Sequence, residues 1–136
     1  MITAVDSSVV LDVLGADPRF GEKSRAALRR SIAEGSLVAC EVVWAEVVAA
    51  FPSEAESSRA LAQLGVRFSG IDARAAAAAG TTFRTYRRSG GRWERLIADF
   101  LIGAHAEIQA DRLLTRDRGF YRSYFSRLAI IDPARP

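Results

Sequence analysis

The chain holds one cysteine, Cys40, and one histidine, His105. A lone thiol excludes an intramolecular disulfide, and its place at the end of Leu37-Val38-Ala39 predicts a buried, reduced side chain. With no cysteine or histidine cluster, a zinc site of the usual kind is excluded. Lysine is nearly missing as well, since Lys23 is the sole lysine among nineteen basic residues. No apolar run is long and unbroken enough to span a bilayer, and no charged-then-apolar leader opens the sequence. The sequence therefore predicts a cytoplasmic protein without a membrane partner. Linkers, repeats and low-complexity segments are also lacking, so the 136 residues read as one domain, 1–136.

What is present alternates between short apolar runs and longer helical stretches. Ile2-Thr3-Ala4-Val5 reads as a strand, with a short helix after Asp6. Gly15-Ala16-Asp17-Pro18 forms a turn with Pro18 suited to opening a helix through Ala33, whose inward residues include Ala26, Leu28 and Ile32. Residues 36–40 give a second strand, Glu41–Ala50 a helix, and Pro52-Ser53 the start of another through Leu64. A third, edge strand is expected within Val66–Ile71. Asp72 caps a helix to Arg88, Gly90-Gly91 breaks it, and an apolar helix runs from Arg95 to Gln109. Residues 112–116 and 128–131 complete the strands, with an aromatic helix at 119–125 between them. Strands alternating with helices predict an α/β fold of three layers, α/β/α, around a central parallel sheet of four to five strands.

Four carboxylates stand out in this layout. Asp6 and Asp117 follow the first and fourth strands, where ligands of open α/β sheets bind. Glu46 and Asp99 lie in Val42–Val48 and Leu96–Ile102, runs otherwise built for a core. Singly, Asp6 or Asp117 could cap a helix and Glu46 or Asp99 could pair with an arginine. Together they would meet a desolvation cost of several kcal/mol repeatedly, so a shared role accounts for them better. Clustered carboxylates repel one another unless a cation sits among them, and oxygen donors alone point to Mg²⁺ or Mn²⁺.

The basic residues add direction to this reading. Arg84, Arg87, Arg88, Arg92 and Arg95 run up to Asp99, while Arg112, Arg116, Arg118 and Arg122 surround Asp117. An acidic centre ringed by guanidinium groups suits a polyanion brought to a bound metal, although a solvated arginine face would look the same. A phosphatase with a nucleophilic aspartate would need a lysine near the phosphate, and Lys23 falls on a surface helix. His105 lies six residues past Asp99, about 240° around a helix, so it faces away from that acid and reads as a packing residue. Trp93 could stack on a base, receive a partner's side chain, or staple the following helix. Phe120, Tyr121, Tyr124 and Phe125 read as core, with one tyrosine at the rim.

Asp99-Phe100-Leu101-Ile102-Gly103-Ala104-His105-Ala106 and Leu113-Leu114-Thr115-Arg116-Asp117-Arg118-Gly119-Phe120-Tyr121, with Val5-Asp6-Ser7-Ser8-Val9-Val10-Leu11 and Glu46, resemble the PIN-domain ribonucleases, and among them the VapC-type toxins of bacterial toxin–antitoxin pairs. The resemblance covers essentially the whole chain. It implies a metal-dependent endoribonuclease that leaves 5′-phosphate and 3′-hydroxyl ends, a cognate VapB-like antitoxin, and a homodimer. Asp6 and Asp99 would ligate Mg²⁺ or Mn²⁺ directly and Asp117 directly or through water, with Glu46 positioning a metal-bound water, and Thr115 holding the attacking water or a phosphate oxygen, or serving as a plain strand residue. Ser8 matches a polar supporting position, and Ser8, Arg92, Arg116 and Arg118 are the expected substrate contacts. The alternative is a catalytically silent PIN-like module that binds RNA or protein.

Overall fold

The computed structural model describes residues 1–91 and 95–135; Arg92 and Trp93 lie outside the described residues. In chain order the elements are β1 (Ile2–Val5), α1 (Ser7–Leu14), α2 (Gly21–Glu34), β2 (Ser36–Ala39), α3 (Glu41–Ala49), α4 (Glu54–Leu64), β3 (Val66–Phe68), α5 (Ala73–Arg88), α6 (Ile97–Gln109), β4 (Arg112–Leu114), α7 (Arg118–Tyr124) and β5 (Ile130–Ile131). The five strands form one sheet in the order β3-β2-β1-β4-β5, every pairing parallel. Parallel strands need helical crossovers, and these cover the sheet to give the α/β/α layering expected from the sequence.

The strand order locates the site. From β1 the chain moves outward to β2 and β3, then crosses back to β4 on the other side of β1. The order therefore reverses between β1 and β4, whose last residues, Val5 and Leu114, are register partners. Where helices leave in opposite directions from neighbouring strands, a crevice opens beyond their carboxyl ends. Asp6, Thr115 and Asp117 occupy that edge.

Two local expectations change. Pro18 does not open α2, because the Asp17 carboxylate accepts the backbone N–H groups of Arg19 and Phe20 at 2.9 and 2.8 Å. This side-chain turn holds the chain out of the helix until Gly21. The later start also resets the helix face: Gly21, Ser24, Ala27, Leu28 and Ser31 are buried, whereas Ala26 and Ile32 are exposed. Gly35 then ends α2 where any Cβ would collide with the Met1 carbonyl. Ser53 and Asp72 cap α4 and α5 through the N–H groups of Glu56 and Ala75, as N-cap side chains do.

Phe100 is fully buried and organises the helices nearest the crevice. Its ring meets Phe83 and Phe120 at 5.2 Å, Tyr86 at 5.3 Å and Tyr124 at 5.7 Å. Aromatic contacts from α5 and α7 thus fix the first turn of α6, beside Asp99. Gly103, one turn further along α6, gives room to the ring of Phe125; a Cβ there would overlap it. Cys40 is buried as expected, and burial pushes its thiol up. Among the described residues no helix is long and apolar enough to cross a membrane.

Candidate active site

Asp6 is the buried centre of the crevice. It caps α1, with Oδ1 accepting the Ser7 N–H at 2.8 Å, and Oδ2 accepts the Thr115 hydroxyl, also at 2.8 Å. Thr115, fully buried, takes the Asp117 N–H on the same oxygen at 3.0 Å. One hydroxyl therefore ties the end of β1 to the turn after β4. It is a positioning group, with its proton committed to Asp6.

The four acids share one neighbourhood. Burial pushes the Asp6 carboxyl above its ordinary value of 3.8, hydrogen bonds from Thr115 and Ser7 oppose that rise, and the charges of Glu46 and Asp117 add to it. Glu46 is exposed and accepts the Ser7 hydroxyl at 3.3 Å, across from the start of α1. The sequence placed it in a core-like run; α3 instead buries Val43 and Val47 and turns Glu46 toward solvent. Asp99 is half-buried and accepts the Leu96 N–H at 3.1 Å, closing the first turn of α6. Asp117 is half-buried and bound by Arg95.

Tyr121 was read as core, and it is, yet it also belongs to the site. It follows Asp117 by one turn of α7 and is almost wholly buried. Burial drives its phenol far above 10, with the charges of Asp6, Asp99 and Asp117 adding to the shift. Its spacing of four from Asp117 was the available signal. Ser7, rather than the expected Ser8, contacts the acids; Ser8 is half-buried beside it.

Two of the expected substrate contacts, Arg116 and Arg118, border one recess, but Arg116 is also tied down. Arg116 is held by Asp12 through two bonds of 2.7 and 3.0 Å and lies 4.1 Å from the centre of the Phe20 ring. Asp12 is itself buried, takes the Ser24 hydroxyl at 3.0 Å, and anchors α1 and α2 to the end of β4. Arg118 lines a recess of about 300 Å³ together with Arg116, Asp117, Arg122, Asp132 and Arg135. His105 packs in α6, its Nε2 within 3.0 Å of Ser69 Oγ, and burial lowers its pKa below 6.5.

The donors suit a hard divalent cation, being carboxylate oxygens without thiolate or imidazole. As they stand, no three acidic, histidine or cysteine groups among the described residues are grouped closely enough to hold one ion. The Arg95 guanidinium balances Asp117 instead.

The family model of the PIN domain matches residues 3–126. The chain belongs to the PIN domain family. Solved structures similar to this PIN domain include FitAcB from Neisseria gonorrhoeae, 27% identical over 100% of both chains with a TM-score of 0.69. VapBC2 from Rickettsia felis, bound to a DNA fragment from their promoter, is 16% identical with a TM-score of 0.75, covering 97% of this chain and 98% of that one. A toxin–antitoxin complex from Klebsiella pneumoniae is also 16% identical, with a TM-score of 0.70 and coverage of 96% and 97%. No curated protein sequence matches the chain.

Proposed function

We propose that this PIN domain, a single unit of residues 1–136, is a cytoplasmic Mg²⁺- or Mn²⁺-dependent endoribonuclease and the toxin of a toxin–antitoxin pair. The observation that carries the reading is the Thr115 hydroxyl bridging buried Asp6 to the Asp117 turn, at the point where the strand order reverses. A carboxylate whose pKa is raised by burial first and by its acidic neighbours after it is poorly placed for structure alone and well placed to receive a cation.

Asp6, Asp99 and Asp117 would hold the metal. When bound, it supplies an activated water and neutralises charge developing on the scissile phosphate. The protein's part is positional. The Thr115 hydroxyl fixes Asp6 Oδ2 and the Ser7 N–H fixes Oδ1, and Asp99 is anchored by the first turn of α6. Glu46, exposed and steadied by Ser7, is free to accept a proton from attacking water and to aim it in line. Arg118, with Arg122 and Arg135, offers guanidinium groups to RNA phosphates entering beside Asp117. Arg116 adds positive potential there while bound to Asp12, and Ser8 and Arg92 remain candidate contacts. With water as nucleophile, the products are a 5′-phosphate and a 3′-hydroxyl.

Partners follow from the same site. The FitAcB and toxin–antitoxin likenesses support a cognate VapB-like antitoxin, and an acidic crevice suits a basic segment of such a partner. A homodimer belongs to the same reading.

The test incubates purified, antitoxin-free protein with total cellular RNA, with Mg²⁺, Mn²⁺ or EDTA, beside Asp99→Asn. Discrete metal-dependent cuts bearing 5′-phosphates are expected, weakened roughly 10²-fold or more in the variant. Ends carrying 2′,3′-cyclic phosphate would overturn hydrolysis by water. Metal-independent binding without cleavage would favour the silent binding module.

A further inference from the structure

Arg95 is the last side chain before the α6 cap residue Leu96, and it reaches across the crevice to Asp117. Its Nη1 stands 2.5 Å from Asp117 Oδ2, with the two side chains 31% and 40% exposed. The guanidinium carbon lies 4.2 Å from the centre of the Phe120 ring. Asp117 supplies the main stabilisation of its charge, and Asp99 contributes. Asp117 and Asp99 are both expected metal donors, so one cation already stands where another is to come.

We propose that Arg95 is an exchangeable internal cation of the acidic site: it neutralises Asp117 until a divalent ion takes that carboxylate, and then presents its guanidinium to an RNA phosphate. The inference rests on the reading of these acids as a metal site. Three observations carry it. The ion pair is partly exposed, so parting it uncovers no core charge. The Phe120 ring, its centre 4.2 Å from the guanidinium carbon, is a second hold on Arg95, so the side chain stays over the crevice after Asp117 lets go. A guanidinium forks onto a phosphate with the geometry it uses for a carboxylate, so the exchange needs no new type of contact.

The test measures Mn²⁺ affinity by titration calorimetry on the full chain for the native protein, Arg95→Gln, Arg95→Lys and Asp99→Asn. It also measures KM for the RNA whose cleavage is mapped as above. Arg95→Gln is expected to bind Mn²⁺ roughly fivefold tighter or more, with KM raised about tenfold. Arg95→Lys keeps the charge, so its Mn²⁺ affinity should stay near native while KM rises for want of the fork. Should Arg95→Gln fail to fold, the lysine variant decides alone: unchanged KM overturns the proposal. If the native protein binds Mn²⁺ through Asp99 but Arg95→Gln binds it no tighter, Arg95 is a fixed structural partner and only this inference falls. Tighter Mn²⁺ with unchanged KM overturns the transfer to phosphate. If the native protein binds no Mn²⁺, the metal-site reading falls with it.

Discussion

Asp6 gathers at one carboxyl the opposing demands of a buried polar group and a binding site. Folded Asp6 holds its proton more tightly than the unfolded chain does, because burial and then the neighbouring acids disfavour its charge. Its contribution to stability is therefore complete below pH 3.8 and is lost as pH rises through the raised value. At neutral pH, without metal, the ionised side chain opposes folding. Asp6→Asn keeps the N-cap and an acceptor for Thr115, so the metal-free variant should melt above the native protein at pH 7. That advantage should fade toward pH 3.8, as scanning calorimetry across pH would show; a lower melting temperature at pH 7 would count against it. Asp6 and Asp117 were legible because an apolar strand ends at each. Asp12 was not recognised, although it lies three residues past Val9 on the stripe that buries Val9, Val10 and Val13. The rule that drew attention to Glu46 and Asp99 applied there equally. That overlooked partner holds Arg116, an expected substrate contact, at the border of the recess.

Among the elements, α6 and α7 form the wall on which Asp99 and Tyr121 are mounted, with Arg95 just ahead of α6, and their approach depends on Gly103. Gly103→Ala would raise helix propensity by about 1 kcal/mol, yet the added methyl meets the Phe125 ring. Overpacking should win, lowering stability by about 1–3 kcal/mol in urea unfolding. Phe125→Leu in the same background should recover part of the loss, since the two residues share one contact; a fully stable single variant would show that the helices part easily. The order and type of the elements were readable, because periodicity, caps and turn residues agree along the chain. Faces were harder. In α3 apolar residues occur on every side, so periodicity could not tell that Glu46 points outward; in α2 the Asp17 turn shifted the helix start and with it the buried stripe.

For the molecule as a whole, the formal charge of +3 conceals an uneven distribution, with acids inside the crevice and arginines along the recess beside Asp117. RNA held there should bind with steep dependence on salt. In a non-cleaving Asp99→Asn background, Arg118→Gln and Arg122→Gln should each reduce the slope of log affinity against log salt by about 0.7. Fluorescence anisotropy with single-stranded RNA over a range of KCl measures it, and an unchanged slope would place the phosphates elsewhere.

The same sheet also limits how another chain can approach. Its two borders are stubs, three residues in β3 and two in β5, and just past the latter Pro133 carries no N–H. Neither border offers the row of open donors and acceptors on which a foreign strand could zip itself in register. Short borders of this kind blunt both strand addition to the sheet and edge-to-edge aggregation. An antitoxin of the kind proposed above would then be expected to meet this protein through its helices and its crevice, with side chains doing the recognising.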